Sequence, residues 1–166
     1  MIFERQIRYY YLRFIRLRGD PSELALGMAF GVFTGMMPIM PFQIAVAVAL
    51  ALFFKGSKIT AALGTWISNP LNWYFLYYAN YKLGAFILRL PEQNEIFSSV
   101  LTAVQSGEES MVIVNTILGA GGVSLAAFLL GGLVMGTVAA FPTYFIFLPV
   151  FRRIRAWRRA RRKLKN

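Results

Sequence analysis

Apolar residues do not alternate with polar ones along this chain; they come in runs, and prolines cut the runs. Between residues 24 and 91 there is no acidic residue, and only Lys55, Lys58, Lys82 and Arg89 carry charge. Two long apolar units fill this stretch, residues 24–54 and 58–90. Pro38 and Pro41 break the first, and Pro70, following Ser68 and Asn69, breaks the second. Proline lacks the N–H that an interior helical position needs, so each unit is read as two helical arms around a break. The predicted arms are 24–37 and 42–54, then 59–67 and 71–88. Most fall short of the roughly twenty residues that a bilayer crossing takes. The expectation for the first unit is therefore a re-entrant hairpin with the prolines at its tip; a kinked spanning helix is the alternative. The second unit repeats the plan of short arm, break and longer arm, which suggests an internal structural repeat.

Gly27, Gly31 and Gly35 stand four residues apart and share one helical face. That spacing favours close helix packing over a ligand-facing surface. Farther on, residues 91–110 hold Glu92, Glu95, Glu108 and Glu109 and form a polar segment, with a short amphipathic helix expected over 96–104. Residues 111–151 are uncharged and studded with glycine. They fit either two crossings turned near Gly131 and Gly132, or a half-depth segment followed by one long crossing over 124–151. The expected organisation is thus a basic interfacial helix (1–19), a membrane domain (20–151) and a basic cytoplasmic tail (152–166).

Composition strengthens the membrane reading. Hydrophobic residues make up 57% and charged residues 15% of the 166, where about a quarter charged is usual in soluble domains. A large buried core in a soluble oligomer is the weaker reading, because such long uncharged runs are rare there. The predicted class is all-α: a polytopic membrane helical bundle with proline-broken, re-entrant hairpins, multi-pass, with both termini cytoplasmic.

The net charge of +11 sits at the two ends. Arg5, Arg8, Arg13 and Arg16 mix with aromatic residues near the start, and Arg152, Arg153, Arg155 and Trp157 open the C-terminal basic run. Flanking apolar spans, these residues are expected to contact anionic lipid headgroups rather than nucleic acid. Membrane lipid is accordingly the expected partner, in a homo-oligomer that shields the glycine faces. The first twenty residues are charged throughout, which does not suit a cleavable signal.

The chain has no cysteine and no histidine, and its apolar units hold no carboxylate. No catalytic residue, metal site or cofactor is expected. What the units do hold is a set of polar side chains near their breaks: Thr34, Gln43, Thr65, Ser68, Asn69 and Asn72. One role for them is capping the broken arms. The other is a shared site where the breaks meet, completed by Pro38, Pro41, Pro70 and Lys82, at which freed backbone N–H groups would receive an anion. A phosphate or lipid headgroup is the natural guest.

The run LRGDPSELALGMAFGVFTGMMPIMPFQ, then GTWISNP, then YKLG resembles the bacterial integral membrane family known as domain of unknown function 2062. The matching positions include Ala25, Gly27, Ala29, Gly31, Phe33 and Gly35, then Gly64 through Pro70, then Tyr81 and Gly84. Where many members carry Arg-x-Asn before the second unit, this chain has Lys55-Gly56-Ser57-Lys58. The resemblance implies a bacterial inner-membrane location. It also implies a link to envelope or lipid-linked sugar metabolism, with an envelope-synthesis enzyme as a possible partner, because related domains are joined to glycosyltransferase-like ones. Two functions are expected on this basis. One is translocation of an anionic or lipid-linked, phosphate-bearing substrate through the paired breaks; the other is a non-transporting scaffold for lipid or a partner enzyme.

Overall fold

The computed structural model describes residues 19–39, 42–69, 72–90 and 122–163, with Thr102, Ser106 and Asn115. The expected interfacial helix, Pro41, Pro70, most of the polar segment and the start of the span region lie outside the described residues. Those described form five helices: α1 (Pro21–Met36), α2 (Gln43–Phe53), α3 (Lys58–Gly64), α4 (Trp73–Leu88) and α5 (Gly122–Lys163). A 3-10 turn, Thr65–Ile67, continues α3.

Helix α1 starts where local chemistry dictates. Asp20 is its N-cap, Pro21 takes the first helical position, and Glu23 completes a capping box, in which the Asp20 amide donates to Glu23 Oε2 at 3.4 Å. It ends at Met37, whose extended backbone (φ −82°, ψ 144°) is what a following proline imposes. Between these limits the helix has no polar stripe, and it is buried on nearly every side.

Its glycine face receives α3. A Cβ at Gly27 would collide with the Ser57 carbonyl, one at Gly31 with the Ala61 carbonyl, and one at Gly35 would come within 3.1 Å of the Thr65 carbonyl. The close packing read from the four-residue spacing is therefore present. The same construction recurs on α5: Gly131 lies against the Asn80 carbonyl and Gly136 against that of Phe33, while Gly84 of α4 faces the Ala127 carbonyl. Backbone meets backbone at each of these seams, a geometry that admits Cα–H···O contacts. Gly131 and Gly132 thus serve packing, and α5 passes through them without a turn.

These contacts also give directions. Helix α2 folds back on α1, stacking Phe54 on Phe30 at 5.1 Å. Helix α3 runs parallel to α1, since Gly27, Gly31 and Gly35 meet successively later residues of 57–67. Both α1 and α4 run opposite to α5: Leu24 and Ala25 cluster with Phe151, Gly132 sits by Met37 and Pro38, and Gly84 by Ala127. Helices α3 and α4 therefore run in the same direction, so the second unit is not a hairpin.

The polytopic, multi-pass expectation requires correction. Helices α1 and α4 have 16 residues each, α2 has 11 and α3 has 7, all below the roughly twenty that a crossing takes. Among the described residues only α5 is long and apolar enough: its span Gly122–Ala160 reaches a mean hydropathy of 2.1 with a third of the apolar window buried. The first two apolar runs fold into short pieces at their breaks, whereas α5 continues through Pro142 and Pro149. The all-α class stands, but with one membrane-length helix among the described residues, which argues against a multi-pass chain with both termini cytoplasmic.

Helix α5 takes its burial from two partners in turn. Phe128 packs among Tyr77 and Tyr81 of α4, and Phe151 packs on the start of α1. Its outer face presents Leu133, Val138, Phe141, Phe145, Ile146 and Val150. Helix α2 buries only Ala47 and Ala51 and turns Ile44, Leu52 and Phe53 outward.

Candidate functional site

The end of α1, the start of α2, the 3-10 turn and α4 converge on one small cavity. Its lining includes Met36, Pro38, Gln43, Ser68, Tyr77 and Asn80. Each polar group arrives there for a local reason. Pro38 cannot donate to the Thr34 carbonyl, which accepts the Met37 amide instead at 3.1 Å. Beyond the helix end, the Met36 carbonyl is capped by Asn80 Nδ2 at 2.8 Å. Ser68, which ends the 3-10 turn, has its Oγ 3.0 Å from Gln43 Oε1 and 3.1 Å from the Thr65 carbonyl. Its single proton serves one of them at a time. Gln43 opens α2.

Asn80 is 1% exposed. Its Nδ2 is committed to Met36, while its Oδ1 is buried with no hydrogen-bond partner among the described residues. A buried carbonyl left unsatisfied costs about 1–3 kcal/mol. The cavity beside it offers about 10 Å³ to the centre of a water-sized sphere, near the roughly 10–15 Å³ that one water takes. In this conformation it admits a water, not a phosphate.

The sequence-based site residues divide sharply. Pro38, Gln43 and Ser68 meet at the cavity. Thr34 bonds back to the Phe30 and Gly31 carbonyls, and Thr65 to that of Ala62, so both serve their own helix. Asn69 and Asn72 exchange amide–carboxamide bonds at 2.8 and 3.2 Å, and Asn72 Nδ2 donates to the Ile67 carbonyl at 2.6 Å. They satisfy the break itself, which is the capping role. Lys82 Nζ lies 5.8 Å from the Tyr78 ring centroid, outside the cavity lining. Pro41, Pro70, Arg5, Arg8, Arg13 and Arg16 lie outside the described residues. Tyr77 and Asn80 are the additions that sequence reasoning missed. Asn80 had one signal: an amide side chain in the middle of a mainly apolar arm, on the face shared by Tyr77, Tyr81 and Gly84 at helical spacing.

A second polar locus lies at the far end of α1. Arg152, Arg153, Arg155 and Trp157 are all exposed on the last turns of α5, and Arg155 pairs with Asp20 at the α1 N-cap. Asp20, Ser22, Leu148, Arg152, Arg155 and Arg159 line an open cleft of about 300 Å³. Among the described residues no group of His, Cys, Asp or Glu side chains is placed to hold a metal ion.

A helical molecule with one membrane-length, outwardly apolar helix and a basic end is a membrane-associated protein. More particularly, the chain belongs to the family of uncharacterized proteins conserved in bacteria designated DUF2062, whose model matches residues 4–161. No curated protein and no solved structure matches it.

Proposed function

We propose that this protein is a lipid-organising membrane module, a non-transporting scaffold whose apolar surface sits in the bilayer and whose basic end gathers anionic headgroups. One observation carries this reading. Five outward phenylalanines of α2, α4 and α5, Phe53, Phe75, Phe86, Phe141 and Phe145, are 56–81% exposed, and on α5 the apolar face leads directly into arginines. Exposed apolar area of this extent is what a lipid-facing surface presents. Vesicle flotation tests it. The protein should float with neutral vesicles through its apolar face and with anionic ones more strongly, the excess fading in salt. Failure to float with either kind would sink the reading.

A second reading, translocation of a phosphate-bearing or other anionic substrate at the helix breaks, draws on Asn80. Capping Met36 uses only the Nδ2 of Asn80, whereas a path that opens and rehydrates would also use its unpaired Oδ1 with Gln43 and Ser68. Transfer of a fluorescent phosphate lipid between leaflets, faster than in empty vesicles and abolished by Asn80→Leu, would favour this reading over the scaffold. No acceleration would leave the scaffold.

A further inference from the structure

The open seam between α1 and α5 changes character along its length. Near the middle of α5 it is a groove of about 560 Å³, walled almost wholly by apolar atoms of Leu26, Phe30 and Phe33 on one side and Phe141, Tyr144 and Phe145 on the other. Toward the basic end it becomes the cleft of about 300 Å³ at Arg152, Arg155 and Arg159. The two lie in line along the same pair of helices. Phe141, Tyr144, Leu148, Arg152, Arg155 and Arg159 recur every three or four residues and so share one face of α5. On α1, Ser22 in the cleft and Leu26 in the groove are likewise four residues apart.

We propose that this seam seats one lipid bearing a terminal phosphate, its chain in the groove and its phosphate in the cleft. The inference rests on the membrane-module reading and specifies its ligand. Charge selects the headgroup. Three guanidinium groups face the cleft against one carboxylate, Asp20, which Arg155 already engages. Arg152 and Arg159 have no carboxylate partner among the described residues. The cleft therefore carries a net two positive charges, matching a terminal phosphate at about −1.5 to −2 near pH 7. A phosphodiester has a single charge, and a zwitterionic headgroup brings a cation as well. Arginine suits phosphate because its planar fork makes paired, charge-assisted bonds, and Ser22 adds a hydroxyl. Length agrees too. The groove follows α5 for about nine residues, about 13 Å, close to the roughly 15 Å depth of one leaflet.

Native mass spectrometry of the purified full chain, released from micelles holding equal phosphatidate, phosphatidylglycerol and phosphatidylcholine, tests the proposal. The expected result is one retained phosphatidate. Arg152→Gln or Arg159→Gln should cut that retention roughly tenfold, the effect of losing one charge-assisted bond. Lys58→Gln removes the same charge from an exposed position outside both linings and should leave retention unchanged. Ala140→Phe, which fills the groove without touching an arginine, should lower retention while circular dichroism and vesicle flotation stay as in the parent. Equal retention of the three lipids, equal sensitivity to Lys58→Gln, or indifference to Ala140→Phe would overturn the seam as a lipid site. Competition by glycerol 3-phosphate at the affinity of phosphatidate would overturn it as well, because the groove would then contribute nothing. Loss of flotation by the parent protein would mark failure of the membrane reading itself.

Discussion

Asn80 caps Met36: its side-chain amide donates to that carbonyl at 2.8 Å across 44 positions of sequence, closing the helix end that Pro38 leaves open. The bond fastens α4 to the tip of the α1–α2 hairpin, where Gln43 and Ser68 also meet. It acts where water has little access, and a buried acceptor without a partner is expensive there.

Asn80→Ala should therefore lower unfolding stability by about 1–3 kcal/mol, read by denaturant titration in micelles. Asn80→Asp should cost more, since a carboxylate would face the Met36 carbonyl. Unchanged stability in both variants would mean that Met36 is satisfied in some other way.

The glycine seams predict a contrast between two alanine substitutions. Gly31→Ala would drive its methyl into the Ala61 carbonyl and within 2.6 Å of the Gly64 Cα, both backbone, and should cost about 1–3 kcal/mol as overpacking. Gly122→Ala meets nothing within 4 Å. It should be neutral or stabilising by up to about 1 kcal/mol through helix propensity. Thermal unfolding of the two variants side by side separates steric cost from general sensitivity to change.

Asp20 and Arg155 join the start of α1 to the basic end of α5. Both side chains are about half exposed, so solvent screens the pair. A double-mutant cycle with Asp20→Asn and Arg155→Gln should give a coupling of about 0.2–1 kcal/mol that shrinks as salt rises. Asparagine keeps the N-cap acceptor, so the cycle isolates the ion pair from the cap. A coupling that ignores salt would deny its electrostatic origin.

The chain has no native cysteine, so single cysteines report position without background. In sealed vesicles, cysteine at Phe141 or Phe145 should resist a charged maleimide, and cysteine at Arg153 or Trp157 should react. Positions 145 and 157 are twelve residues apart, about 18 Å along a helix, enough to leave the hydrocarbon. Equal labelling of all four would place α5 outside the bilayer.

Local punctuation was legible in the sequence. The prolines of the first two units marked their breaks, because there the effect is confined to neighbouring residues. The glycine ladder of α1 was legible for the same reason, as spacing on one helix. What the pattern did not carry was the partner of each arm. Nothing local in Ser68-Asn69-Pro70 tells a chain that turns back from one that continues, and the outcome depends on α4 finding Phe128 and Gly131 of α5. Gly131-Gly132 likewise looked like a possible turn, yet packs against the Asn80 backbone. The proline-side residues split according to distance. Asn69 and Asn72 satisfied one another within their own break, whereas Gln43 and Ser68 reached across 25 positions. Asn80 went unrecognised because its partner, Met36, is a backbone carbonyl whose need arises only after Pro38 has ended a different helix.

Seams made of glycine against carbonyl leave evolution little room. A core of interlocking side chains is open to compensated exchange, one residue enlarging as its neighbour shrinks. A carbonyl cannot shrink, so no second change can rescue a methyl group at Gly27, Gly31, Gly84 or Gly131. Drift in such a protein is driven outward, onto the exposed apolar residues of α2 and α5, where one apolar side chain substitutes for another at little cost.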